Sequence, residues 1–235
     1  LHHWRVLDLP AFEGPLPDEL GDIEALVAYR HRTAAVRRRV EAIADSSAEV
    51  ALFFEYLPRL LTDDLNASAG SGDMSPEALR MVHDQLMAAT TFMNSSGLVH
   101  FDTHFGNVLA DGPGIYLADL GLASSASFEL TRDEREFLDT NKTHDVAYLT
   151  TRLLNWIVTT LGGVADRELR DQIIQRVAGG EPASQLLPDH AAPLVDRYAP
   201  VASVINRFYE RLHGDDRNTP YPAAAIESAW TATAP

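Results

Sequence analysis

Apolar residues Ile23, Leu26, Val27, Val36, Val40 and Ile43 recur at near-helical spacing, which predicts one long helix from about Asp22 to Ala44. The run Val50-Ala51-Leu52-Phe53-Phe54, flanked by polar residues, predicts a buried strand. Small and polar residues from Asn66 to Asp73 predict a loop, ended by Ser75 as an N-cap, Pro76 in the first turn and Glu77 behind it. Leu79, Val82, Leu86, Ala89 and Met93 then form a helical stripe that Gly97 closes. Two short strands follow, separated by Asp111-Gly112-Pro113-Gly114, whose turn chemistry predicts a hairpin. Beyond them the pattern is helical: His144 to Thr160 stopped by Gly162 and Gly163, then Arg167 to Val177, then about Pro200 to Leu212. The arrangement predicts a small strand-containing part over residues 1–57, a linker near Glu55 to Pro58, and a mostly helical part over residues 58–235.

Composition narrows the function classes. With 46% hydrophobic and 23% charged residues in 235, the chain can bury a sizeable core. The formal net charge of -15 excludes nucleic acid or an anionic membrane surface as the expected partner, because both require a basic footprint. Cationic small molecules stay admissible. There is no cysteine, hence no disulfide framework, thiolate nucleophile or thiolate metal site. No apolar run approaches the roughly 18 residues of a spanning helix, and the N-terminus lacks a signal-peptide pattern, so a cytoplasmic location is expected. Basic residues are almost all arginine, and Lys142 is the only lysine. The arginines between Arg30 and Arg39 predict a solvated face, and His2 and His3 an unstructured end. Trp156, Tyr198, Phe208 and Tyr209 read as helical core or its rim.

Chemistry concentrates in His100-Phe101-Asp102-Thr103-His104-Phe105-Gly106-Asn107, followed by Ala118-Asp119-Leu120-Gly121. If Asn107 begins the first hairpin strand and Asp119 ends the return strand, both stand at the open end of the hairpin, within reach of a loop carrying Asp102. Two carboxylates and an amide suit Mg²⁺, which takes few protein ligands and fills its shell with water and phosphate oxygens. The same segment admits a second arrangement, with His100, Asp102 and His104 alternating on one face of an extended strand and joined by Asp119 or His144. That set would suit Zn²⁺ or Mn²⁺ in a metal-dependent hydrolase.

The run HFDTHFGN followed by DLG resembles the catalytic loop and metal motif of the protein-kinase-like superfamily, and is most similar to the aminoglycoside phosphotransferase and choline kinase branch. The resemblance implies an α+β, two-lobe fold with a reduced or incompletely present N-terminal lobe and a mostly helical C-terminal lobe. It implies a phosphotransferase that moves the γ-phosphate of ATP or GTP to a hydroxyl of a small molecule, an aminoglycoside-like or other cationic acceptor among the options. Asp102 would orient the acceptor hydroxyl and take its proton, while Asn107 and Asp119 would hold Mg²⁺. His100 would brace the loop, and His104 stands where a lysine is usual outside this branch. Phe53-Phe54-Glu55-Tyr56-Leu57 looks like the strand running into the hinge, where the Glu55 carbonyl and Leu57 amide would bind the adenine edge. Asp145 matches the family's buried aspartate that anchors the catalytic loop.

The chain also departs from the pattern. It has no glycine-rich GxGxxG loop, and no strand lysine paired with a helix glutamate. Trp4 to Pro10 stands where that strand is expected but offers Asp8, and Glu19 or Glu24 would be the helix glutamate. No APE motif lies between Gly121 and Thr143, which favours a small-molecule acceptor over a protein. The acidic run Asp133, Glu134 and Glu136 reads as a solvated helix face that a cationic acceptor would find attractive. Because the sequence starts at Leu1, upstream residues are expected to supply the loop and the lysine. The alternative is a nucleotide-binding pseudokinase or scaffold.

Overall fold

The computed structural model describes residues 1–8, 23–29, 34–112, 114–214, 216 and 218–233, and the chain divides into two compact units, Leu1–Tyr56 and Leu57–Pro235. The expected division after Leu57 lies one residue further on. Mixed α and β structure with small antiparallel sheets and predominant helix agrees with the α+β class.

In the first unit, strand β1 (His3–Asp8) pairs antiparallel with β2 (Ala48–Phe53), in register from His3 opposite Phe53 to Asp8 opposite Ala48. His3 therefore belongs to a strand, with Arg5 Nε 3.0 Å from its ring Nε2. The second strand is not buried as its apolar run predicted: Val50, Leu52, Phe53 and Phe54 are each half or more exposed, as are Trp4 and Val6 across from them. Helices α1 (Ile23–Tyr29) and α2 (Ala34–Ala44) replace the single long helix. On one straight helix, positions thirteen apart would stand about 20 Å from each other. Instead both guanidinium nitrogens of Arg37 reach the Glu24 carboxylate, at 2.6 and 2.7 Å, so the two helices fold back on one another. Buried Val27 and Val40 supply the apolar side of that packing. Arg38 and Arg39 are exposed as expected; Arg30, Arg32 and Glu19 lie outside the described residues.

The second unit begins with β3 (Arg59–Leu60) and α3 (Leu61–Ser71), a helix where a loop was predicted. Leu61 and Leu65, one turn apart, are buried in the core, and Asp63 and Asp64 favour the first turn. The glycine-rich end is the helix stop: Gly72 adopts φ 78°, a left-handed cap that returns its N–H to Ala69. Helix α4 (Pro76–Ser95) starts as expected, with Ser75 Oγ accepting from Ala78 N. Strand β4 (Leu98–Val99) pairs with β7 (Ser124–Ser125), and β5 (Val108–Asp111) pairs with both β3 and β6 (Gly114–Leu117). Helix α5 (Arg132–Asn141) opens with a capping box between Thr131 and Glu134.

Helix α6 (His144–Trp156) ends in one π-helical turn, Ile157–Leu161. Helix α8 (Ala192–Gly214) packs on α6, α7 (Arg167–Ala178) packs on α8 and on the π turn, and α9 (Ala223–Ala232), which the sequence pattern did not predict, packs on α8 as well. Helix α8 starts well before Pro200 and keeps it inside. A proline costs a helix interior about 3 kcal/mol, and burial of Val195, Ala199, Val201, Ala202 and Ile205 on either side offsets that here. Leu79, Leu86, Leu149, Leu153, Leu154, Ile157 and Ile174 are the largest fully buried aliphatics of the main core. No helix among the described residues is long and apolar enough to cross a membrane.

Candidate active site

Everything near Asp102 is organised by one side chain of α6. Asp145 is fully buried, and its carboxylate accepts the His100 N–H at 2.6 Å and the Phe101 N–H at 2.9 Å. Phe101 is held at φ 64°, a left-handed conformation that a bulky residue rarely adopts and that stores about 1–3 kcal/mol of strain. This turn rotates the chain so that Asp102 leaves the loop towards the hairpin.

His100 is also fully buried. Its Nδ1 accepts the Asp102 N–H at 3.3 Å, so the proton sits on Nε2, which donates to the Ala118 carbonyl at 2.9 Å. The imidazole thereby ties the loop to the strand that ends at Asp119. With both ring nitrogens engaged and Phe101 turned, the alternating His100-Asp102-His104 metal face does not form. Among the described residues no three His, Asp or Glu side chains group as metal ligands.

The hairpin register sets Val108 opposite Leu117, and the Ala118 N–H donates to the Asn107 carbonyl at 2.9 Å, which brings Asn107 and Asp119 to its open end. Asn107 Nδ2 donates to the Asp102 carbonyl at 2.9 Å and lies 3.3 Å from Asp102 Oδ2, leaving the amide oxygen as the atom it can offer a cation. Asp119 is exposed, at φ 57° and ψ 71°, with Oδ1 accepting the Gly121 N–H at 3.3 Å. His104 caps the short turn Phe105–Asn107 through Nδ1, while its Nε2 stands 3.8 Å from Asp102 Oδ1. The donors at the open end of the hairpin, Asn107 Oδ1 and the Asp102 and Asp119 carboxylates, are oxygens, a set that fits Mg²⁺, with the His104 ring beside them.

The structure thus brings together Asp102, Asn107, His100, His104 and Asp145, with Asp119 beside Asn107 in the hairpin register, all in the second unit. Glu55 and Leu57 lie in the extended stretch between β2 and β3, Glu55 exposed in the first unit and Leu57 half-buried in the second.

Of the residues behind this loop, the sequence pointed to His144 only as an alternative metal ligand and to Tyr209 only as helical core or its rim. His144 Nδ1 lies 3.1 Å from Asp145 Oδ1, and its Nε2 lies 2.7 Å from the Tyr209 hydroxyl. Burial pushes the phenols of Tyr148 and Tyr209 upward, and the Asp102 charge adds to both. A cavity of about 530 Å³ opens beside this cluster, walled by Phe101, Phe137, His144, Phe208, Tyr209 and Tyr221. The signal available in the sequence was the pair His144 and Tyr148 on the face of α6 that carries Asp145, a pattern that core aromatics produce as well.

No family model matches the chain, and a search of curated proteins gave no match.

Proposed function

We propose that the chain is a kinase-like phosphotransferase that transfers the γ-phosphoryl group of ATP to a hydroxyl of a small molecule. The observation that carries this reading is the Asp145 clamp on His100 and Phe101 combined with the Asn107 bond to Asp102, which fixes a partly exposed carboxylate at the open end of the Asn107–Asp119 hairpin. Asp102 holds the acceptor hydroxyl and takes its proton. The acceptor oxygen bonds to the γ-phosphorus as the bond from that phosphorus to the β–γ bridging oxygen breaks, leaving ADP. Asn107 Oδ1 and the Asp119 carboxylate would hold Mg²⁺, which neutralises phosphate charge when bound. Glu55 and Leu57, on a stretch like a hinge, would take the adenine edge through their backbone. Together these roles correspond to a two-lobe kinase-like fold, with the first unit as its small lobe.

A second reading, a nucleotide-binding pseudokinase, is favoured by one observation: β1 carries no lysine, and Glu24 pairs with Arg37. Two measurements decide. Calorimetry should show ATP binding that depends on Mg²⁺, and equal affinity without the metal counts against the site. Asp102→Asn should keep that binding but lower phosphoryl transfer by roughly a hundredfold or more. Binding without transfer to any alcohol would leave the pseudokinase.

A further inference from the structure

The aromatic cavity lies in the second unit and shares a wall with the candidate catalytic loop, since Phe101 lines it and precedes Asp102. Its rings form a connected set. Phe101 and Phe137 have centroids 5.5 Å apart, His144 and Tyr221 5.9 Å, and Phe208 and Tyr221 5.7 Å with their planes perpendicular. A volume of about 530 Å³ is that of a small-molecule site.

The polar tips of this wall are largely committed to the protein. The Tyr209 hydroxyl is paired with His144 Nε2, the Tyr221 hydroxyl with Thr143 Oγ1 at 3.0 Å, Asn141 Nδ2 with the Phe137 carbonyl at 2.7 Å, and the Thr219 hydroxyl with the Asp216 carbonyl at 2.6 Å. What the rings offer an incoming molecule is therefore carbon. Among the described residues Glu136 is the single charged side chain lining the cavity and is itself exposed, so a cation entering here would meet ring faces and one solvated carboxylate, without a buried partner to offset its lost water. Among the described residues no arginine or lysine lines it, so an anion fares worse.

We infer that this cavity is the acceptor pocket, and that it takes the flat apolar ring of an aryl-bearing alcohol whose hydroxyl extends past Phe101 to Asp102. This rests on the phosphotransferase reading for the identity of the reacting group, while the pocket itself rests on geometry alone. Ring-on-ring contacts with Phe101, Phe137 and Phe208 supply affinity, offset or edge-on as aromatic pairs prefer. Specificity follows from a wall made mostly of ring and aliphatic carbon, with its remaining polar groups, Thr140, Asn218 and Glu136, exposed: a polyol would lose hydration against the rings with little replacement.

The test uses the whole 235-residue chain and three probes, 2-phenylethanol, its trimethylammonium counterpart carrying the same hydroxyethyl arm, and glycerol. Saturation-transfer NMR and competition should rank the phenyl alcohol first. Phe137→Ala, at an exposed ring on the cavity mouth, should weaken it about threefold to tenfold, the range of one aromatic contact. Phe208→Leu, which preserves apolar volume, should weaken it less. Preferred binding of the ammonium alcohol, equal binding of all three probes, or indifference to both substitutions overturns the inference. Mg²⁺-dependent ATP affinity, measured on the same samples, separates the two claims. ATP binding with no aryl preference sinks the pocket assignment and leaves the phosphotransferase. Aryl binding weakened in Phe137→Ala, with no ATP binding, keeps the pocket and sinks the phosphotransferase.

Discussion

Two buried polar groups at the candidate catalytic loop, Asp145 on α6 and Thr103 in the loop, have opposite standing. Asp145 satisfies two backbone donors and one imidazole nitrogen with two oxygens. Asp145→Asn must turn an amide N–H₂ towards at least one of them, and should cost about 2–3 kcal/mol as a lower midpoint in urea. Thr103 is equally buried, yet its Oγ1 has no partner. Thr103→Val keeps the shape and removes an unsatisfied hydroxyl, so it should leave stability unchanged or raise it by about 1 kcal/mol in the same assay. A loss instead would mean that the hydroxyl has a role that these contacts omit. The sequence made the Asp102 side of this site legible because spacing along one short segment fixes it: HFDTHFGN and the Gly112 turn need only local geometry. The aromatic cavity was illegible for the opposite reason. Phe101, Phe137, His144, Phe208 and Tyr221 come from separate elements, and each alone looks like core.

At the scale of elements, two differences from expectation share a cause, tertiary burial prevailing over local preference. The stretch from Asn66 to Ser71 is polar and small, yet becomes helical because Leu61 and Leu65 anchor its first turns. Pro200 stays inside α8 for the same reason. The contact between α4 and α8 also carries a titratable group. His83 is buried and stacks on Tyr198 with centroids 4.4 Å apart, its Nε2 unpartnered and Nδ1 3.5 Å from Asp84. Burial, with a smaller contribution from Arg197, lowers its pKa from the ordinary 6.5, and Asp84 opposes the shift. A folded-state pKa below the unfolded one means that the unfolded chain binds the proton more readily. The resulting stability is present above pH 6.5 and is lost as pH falls below it. Thermal melts from pH 7.5 to 5 should show a declining midpoint, and His83→Phe, which preserves the stack, should flatten the decline. An unchanged slope in that variant would assign the acid sensitivity elsewhere.

Across the whole molecule, the two units differ in how they are held. The second has a continuous buried core, whereas the first places a two-stranded sheet with Trp4, Val6, Val50, Leu52 and Phe53 half or more exposed. Such a ribbon is marginal in water. Native-state hydrogen exchange should find β1 and β2 amides opening at least about a hundredfold more often than those of α4, α6 and α8. Matching protection would show that the sheet is covered in solution. This contrast was legible only in part, because the apolar run from Val50 to Phe54 reads the same whether or not anything packs on it. The scarcity of lysine has a practical consequence of another kind. Lys142, exposed at the end of α5 with its carbonyl accepting Asn94 Nδ2 at 2.9 Å, sits between the cavity residues Asn141 and His144. Within the 235 residues it is the one lysine, and so the one side-chain amine that an acylating dye can reach. A fluorophore acylated onto its ε-amine stands beside the aromatic wall, so its emission should follow occupancy of the neighbouring cavity.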